Sequence, residues 1–205
     1  MSGQKLLIYG GTFDPPHIGH LNNLRAAMKA VRPDRVLVMP AGTPPHKLAS
    51  ETPAEWRYEM CGCFRQLGPQ VAISRWEIDH EGPSYTVNTL EALHEEYPAA
   101  ALYLSLGSDM LESFRRWYRW ERILQLATLV VQSRADGDDA SLRAAAEALA
   151  PAGGRVVFAK APAVPCASHE IRAGTLPAET LRAVLPPPVP DLVRRHDLYG
   201  LGKVL

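Results

Sequence analysis

Six short apolar runs punctuate the chain: "KLLIY" at 5–9, "RVLVMP" at 35–40, "VAISRWEI" at 71–78, "ALYLSLG" at 101–107, "TLVVQSR" at 128–134 and "RVVFAK" at 155–160. Most are near-continuously hydrophobic, as strands are when both faces of a parallel sheet are covered. Helical spacings fill the gaps. Ile18, Leu21, Leu24, Met28 and Val31 follow three- and four-residue steps, as do Trp56, Met60, Cys63 and Leu67. Val87, Leu90, Leu93 and Tyr97 do likewise, with Pro98 marking the end; "MLESFRRWYRWERIL" at 110–124 and "ASLRAAAEALA" at 140–150 read as two further helices. The alternation predicts an α/β fold, a doubly wound and mostly parallel sheet with right-handed crossovers. The boundary falls near "APAVPC" at 161–166, so residues 1–160 form the core of one 205-residue domain and 161–205 a small C-terminal helical subregion.

Such a sheet binds ligands outside the C-terminal ends of its strands. Three stretches that directly follow strands therefore share one rim: "GGTFDPPHIGHL" at 10–21, "PAGTPPHK" at 40–47 and "LGSDM" at 106–110. The first is unlike any core element. Gly10 and Gly11 let backbone N–H groups approach a phosphate without a Cβ in the way. The helix beginning near Ile18 turns its positive end to the same space. His17 and His20, three apart, share one face there, and Gly19 between them removes bulk. The pattern is neither G-x-G-x-x-G nor G-x-x-x-x-G-K-[ST], which disfavours hydride transfer and Walker-type phosphoryl transfer.

Charge and cysteine usage narrow the class. Twenty-two basic residues balance 22 acidic ones, without the basic excess expected of a duplex-binding protein. Cys61, Cys63 and Cys166 make no disulfide framework; Cys61 and Cys63 read as buried thiols. No apolar stretch approaches the roughly 20 residues that span a bilayer, and "LLIY" is too short for a secretory leader. The expected setting is the cytoplasm, without nucleic acid or membrane. Oligomeric state stays open, a homo-oligomer included.

The opening stretch resembles the signature loop of the H-x-G-H nucleotidyltransferases. "PAGTPPHK", "EGPSYTVNTLEAL" and "SLGSDMLESFRRWYRW" extend the resemblance to the bacterial nicotinate-nucleotide adenylyltransferases, in matching order and spacing over nearly the full length. The resemblance implies a Rossmann-like nucleotidyltransferase fold and transfer of adenylate from ATP to nicotinate mononucleotide, releasing pyrophosphate. It implies an ATP site of Gly10, Gly11, Thr12, Phe13, His17, His20, Gly107, Asp109, Ser168 and Arg172. It places the nicotinate nucleotide against Gly11, Asp14, His46, Lys47, Tyr85, Thr86, Trp117 and Tyr118, with Trp117 stacked on the ring and the N–H groups of Thr86 and Tyr118 at its carboxylate. His17, His20, Lys47 and Arg172 would stabilise charge during transfer. Magnesium would accompany the phosphates of ATP, with no dedicated protein metal site. The 161–205 subregion would close the triphosphate site.

Several residues carry two readings. Trp117 suits either a nicotinate ring or the core, and Asp109 either ribose hydroxyls or the cap of a helix beginning at Met110. Where the family has Ile-Ser-Ser-Thr-x-Ile-Arg, this chain has "CASHEIR"; Ser168, Ile171 and Arg172 match, Ala167 cannot hydrogen-bond through its side chain, and His169 is either a substitute donor or a surface residue. Nicotinamide mononucleotide or phosphopantetheine are alternative acceptors, and a non-catalytic ATP sensor is the alternative class.

Overall fold

The computed structural model describes residues 3–43, 50–134, 139–162 and 164–205. Six strands, β1 (Lys5–Gly11), β2 (Arg35–Pro40), β3 (Val71–Ile73), β4 (Ala101–Gly107), β5 (Ala127–Arg134) and β6 (Val156–Ala161), form one sheet in the order β3-β2-β1-β4-β5-β6. Every pairing is parallel. The chain is thus a doubly wound Rossmann-like fold, and strand order reverses between β1 and β4.

Alternation along the strands explains the two-sided core. Leu7 and Tyr9 of β1 and Val36 and Val38 of β2 pack into one cluster; Leu6, Ile8, Leu37 and Met39 pack into the other. The first cluster is closed by α1 (Ile18–Val31), whose Leu21, Leu24, Ala27 and Val31 are buried. The second is closed by α4 (Thr86–Glu96) through Val87, Leu90 and Leu93. The C-terminal helices α8 (Ser168–Arg172), α9 (Ala178–Val184) and α10 (Val189–Arg195) bury Ile171, Leu181, Val184, Val189, Leu192 and Val193 in the same cluster as β1.

Three local expectations need correction. "VAISRWEI" is a strand only over Val71–Ile73; Ser74 Oγ accepts the Trp76 N–H at 3.2 Å and starts a helical turn, α3 (Trp76–Asp79). The helix through Trp56 and Leu67 is α2 (Ala54–Met60) followed by a tighter 3₁₀ segment, Cys61–Leu67, in which Cys61 and Cys63 are buried free thiols. "MLESFRRWYRWERIL" is not one helix. It divides into α5 (Ser108–Ser113), a 3₁₀ turn at Phe114–Arg116 and α6 (Trp120–Leu126), because Trp117 is extended and Arg119 left-handed at φ 52°. Glu91 of α4 holds that break: its carboxylate accepts from Arg119 Nη1 and Nη2, each at 3.1 Å, and from Arg122 Nε at 3.0 Å. The Ala-rich stretch is helical over α7 (Asp139–Glu147).

Candidate active site

A cleft of about 1090 Å³ opens at the C-terminal ends of the strands, lined by Gly10 and Gly11 of β1 and by Gly107 of β4. It lies beside the point where strand order reverses, the expected ligand position in an open parallel sheet. Its volume lies at the upper end of the usual range for small-molecule sites.

The loop after β1 is held by its own aromatic residue. Phe13 is left-handed at φ 52°, and its buried ring packs on Tyr9, Phe64 and His20 with centroids 5.5, 5.2 and 5.3 Å away. Phe13 therefore anchors the loop as well as lining the cleft.

His17 lies beside His20, but it also serves its own helix. It is the N-cap of α1 and only 5% exposed. Its Nδ1 accepts the Gly19 N–H at 3.1 Å, and His20 Nδ1 accepts the His17 N–H at 3.2 Å. A nitrogen that accepts carries no proton, so each neutral ring presents Nε2–H as its donor. Burial lowers the His17 pKa to about 4, so the ring is neutral at pH 7. The two rings lie 3.9 Å apart, and only His20 lines the cleft. Gly19 has a more local reason than ligand clearance: a Cβ there would stand 2.9 Å from the His17 ring.

The C-terminal subregion grips the same loop. Ser168 Oγ donates to the Pro15 carbonyl at 2.9 Å, and Arg172 Nη1 donates to the Asp14 carbonyl at 2.6 Å. Both residues also line the cleft. Glu170 accepts from the Ala167 N–H at 2.9 Å, so α8 keeps half of a capping box although Ala167 has no acceptor. His169 is exposed and is not part of the cleft lining.

The opposite wall carries Tyr85, Thr86, Trp117 and Tyr118. Thr86 opens α4, so its N–H has no partner within the helix. Tyr85 and Tyr118 pack with centroids 4.7 Å apart, and Trp117 leans on buried Phe114 at 5.3 Å. Tyr118 is 52% exposed. Asp109 lies within the first turn of a helix that starts at Ser108, not Met110, so it is not an N-cap. Its carboxylate folds back over Gly107, where a Cβ would stand 2.6 Å from Oδ1, and it faces the cleft. Thr12 and Asp14 also line the cleft; His46 and Lys47 lie outside the described residues.

Four contributors escape a reading of the sequence. Arg57, 2% exposed, donates through Nη1 to the carbonyls of Thr12 (2.9 Å) and Ala41 (2.7 Å), through Nη2 to Gly42 (3.2 Å) and through Nε to Thr52 (3.2 Å). It ties the loops after β1 and β2 together, and burial lowers its pKa. One signal was available: Arg57 shares the stripe of Met60 and Phe64, where a charge is out of place. Asp14 accepts from Ser50 Oγ at 2.7 Å and from the Tyr199 hydroxyl at 2.6 Å. Glu77, buried on the cleft wall, has its pKa raised to about 7, chiefly by burial. Nothing in the spacing of Ser50, Tyr199 or Glu77 announces these contacts.

Known proteins share the fold and much of the sequence. A family model described as cytidylyltransferase-like matches residues 8–174. The Oceanobacillus iheyensis protein named "probable nicotinate-nucleotide adenylyltransferase" is 33% identical over 96% of this chain and 97% of its own. A Roseiflexus protein of the same name is 38% identical over 97% of this chain and 100% of its own. Among solved structures, Plasmodium falciparum nicotinic acid mononucleotide adenylyltransferase, complexed with NaAD, superposes with a TM-score of 0.74 over 96% of this chain and 98% of its own, at 18% identity. The chain belongs to the cytidylyltransferase-like family and, within it, to the nicotinate-nucleotide adenylyltransferases.

Proposed function

We propose that this protein transfers the adenylyl group of ATP to the phosphate of nicotinate mononucleotide, producing nicotinate adenine dinucleotide and pyrophosphate, a step of NAD biosynthesis. The observation that carries the reading is one cleft with two unlike walls. On one side stand Gly10, Gly11, His20, Ser168 and Arg172, suited to phosphates; on the other stand Tyr85, Thr86, Trp117 and Tyr118, suited to a flat ring bearing a carboxylate.

The chemistry asks little covalent work of the chain. An oxygen of the acceptor phosphate attacks the α-phosphorus of ATP in line, the new P–O bond forms, and the bond to the pyrophosphate oxygen breaks. The attacking group is already anionic at neutral pH, so no general base is required. Catalysis then consists of positioning and of donors aimed at oxygens gaining charge. The Nε2–H groups of neutral His17 and of His20 and the guanidinium of Arg172 would fill that role, and His46 and Lys47 are the further donors proposed for the phosphates. Arg172 exchanges its Asp14 carbonyl for phosphate oxygens, a stronger charge-assisted pairing.

Among the described residues no three His, Cys, Asp or Glu side chains gather as a metal site. Magnesium would be held chiefly by nucleotide phosphates, as its reluctance to shed water favours. When bound, magnesium supplies neutralisation of phosphate charge. Asp109 and Asp14 supply acceptors on the cleft side, Asp109 for ribose hydroxyls. The setting proposed is the cytoplasm, with small-molecule substrates and neither nucleic acid nor membrane.

The test is pyrophosphate release by purified protein with ATP and magnesium, comparing nicotinate and nicotinamide mononucleotides. One lost charge-assisted hydrogen bond, roughly 1.5–3 kcal/mol, sets the acid-over-amide preference at roughly 10–150-fold. Equal rates would overturn the assignment of Thr86, Trp117 and Tyr118. No release with either nucleotide, despite ATP binding, would favour a sensor.

A further inference from the structure

Glu77 sits in α3, behind the Tyr85–Thr86 wall. It lines both the main cleft and an adjoining cavity of about 320 Å³. The residue is 9% exposed, and among the described residues its carboxyl pairs with a hydroxyl: Thr89 Oγ1 donates to Oε1 at 2.8 Å, while the Ser84 side chain, on the walls of the same two cavities, favours its ionised form.

Ser84 carries the connection onward. Its Oγ accepts the N–H groups of Gly42 and Thr43 at 3.1 and 3.3 Å. Its own N–H donates to the Thr43 carbonyl at 2.8 Å, and Thr43 bridges to Pro83. A hydroxyl has two lone pairs and one proton. The two amides take the lone pairs, so the proton is left for Glu77, and the carboxyl thereby orients the hydroxyl. The joint is tight as well as bonded: a Cβ at Gly42 would lie 2.1 Å from the Glu77 carbonyl oxygen. Three separate pieces of chain therefore meet here, namely the end of β2, helix α3 and the segment entering α4.

A buried carboxyl with no cation paired to it among the described residues is a costly way to fill space, and an apolar side chain would pack at less expense. An apolar residue would not orient Ser84 or hold Thr89. The residues it orients flank Thr86, whose N–H opens α4 toward the cleft, and Tyr85, which packs on Tyr118.

We propose that Glu77, acting through Ser84 and Thr89, is a positioning residue that fixes the Tyr85–Thr86 wall against the end of β2 and so sets affinity and acid-over-amide selectivity for the acceptor nucleotide. The inference rests on the function proposed above. Glu77 touches no reacting atom; its effect passes through the Thr86 amide and the Tyr85 ring.

The experiment measures steady-state kinetics for wild type, Glu77→Gln, Ser84→Ala and the double variant, with thermal melting of each. In both single variants KM for nicotinate mononucleotide rises roughly tenfold, the worth of about one hydrogen bond. KM for ATP stays within about twofold, and the acid-over-amide ratio of kcat/KM falls by a similar factor. The double variant is no worse than Ser84→Ala alone, because both changes break one link. Unchanged KM for the acceptor overturns the inference. So does a parallel rise in both Michaelis constants accompanied by a lowered melting temperature, which marks a merely structural role. Wild-type protein that turns over neither nucleotide overturns the proposed function, and this inference with it; that result is read before any variant is made.

Discussion

The hydroxyl of Tyr199 donates to Asp14 Oδ1 at 2.6 Å across 185 positions of sequence. Ser50 Oγ holds the other oxygen of the same carboxylate at 2.7 Å. The last turn of the chain is thereby fastened to the loop that opens the cleft, beside the grip of Ser168 and Arg172 on the Pro15 and Asp14 carbonyls.

Tyr199→Phe removes one hydrogen bond to a carboxylate while keeping the ring. The expected loss is about 1.5–3 kcal/mol of stability, equivalent to several degrees in melting temperature for a domain of this size. Calorimetry checks it. Because the C-terminal helices share the β1 core, the variant melts in a single transition; a separate low-temperature transition for residues 161–205 would contradict this.

Arg57→Met leaves the Thr12, Ala41, Gly42 and Thr52 carbonyls without their shared donor. Removing a buried charge returns some desolvation energy, but the carbonyls it served are then unpaired. The loss wins, by about 3–5 kcal/mol. Arg57→Lys recovers less than half of it, since an ammonium lacks the planar fork that reaches several acceptors. Urea midpoints measure both.

Two buried groups give opposite pH dependences. His17 falls from 6.5 to about 4 on folding, so the unfolded chain binds its proton more tightly. Its share of stability is full above pH 6.5 and is lost as pH falls toward 4, up to about 3 kcal/mol. Glu77 rises from 4.5 to about 7, so its share is full below pH 4.5 and is lost as pH rises toward 7. The two slopes partly cancel in wild type. His17→Asn, which keeps a capping acceptor, loses less stability than wild type on acidification from pH 6.5 to 4. Glu77→Gln loses less on going from pH 4.5 to 7. Urea titrations across that range separate the two.

Gly19→Ala in a helix would ordinarily gain up to about 1 kcal/mol. Here the new methyl stands 2.9 Å from the His17 ring, so the ring must leave its capping position. Stability gained from helix propensity is offset by the lost cap, roughly 0.5–2 kcal/mol. Displacing a donor by about an ångström lowers kcat/KM roughly 100-fold, whereas KM for the acceptor nucleotide changes little. A fully active variant would show that the ring need not stay where it caps α1.

The sequence by itself determined the layers, and period explains why. Near-continuous apolar runs such as "RVLVMP" have no polar face to leave in water, so the strands had to be parallel and covered on both sides. Strand-to-loop succession also placed the opening glycines, "PAGTPPHK" and Gly107–Asp109 at one rim, whereas Tyr85, Thr86, Trp117, Tyr118 and Arg172 came to the site only through the resemblance to a known family. Tertiary structure decided the rest because the deciding contacts are distant in sequence. Glu91 pairs with Arg119 at the break in the aromatic segment from 28 positions away, a contact that no helical periodicity within 110–124 can register. That the His17 ring caps its own helix through Nδ1 depended on the space beside Gly19 and on burial. Arg57, Tyr199 and Glu77 entered the site only when separate loops came together. Burial then turned ordinary hydrogen-bonding side chains into the joints that hold the cleft.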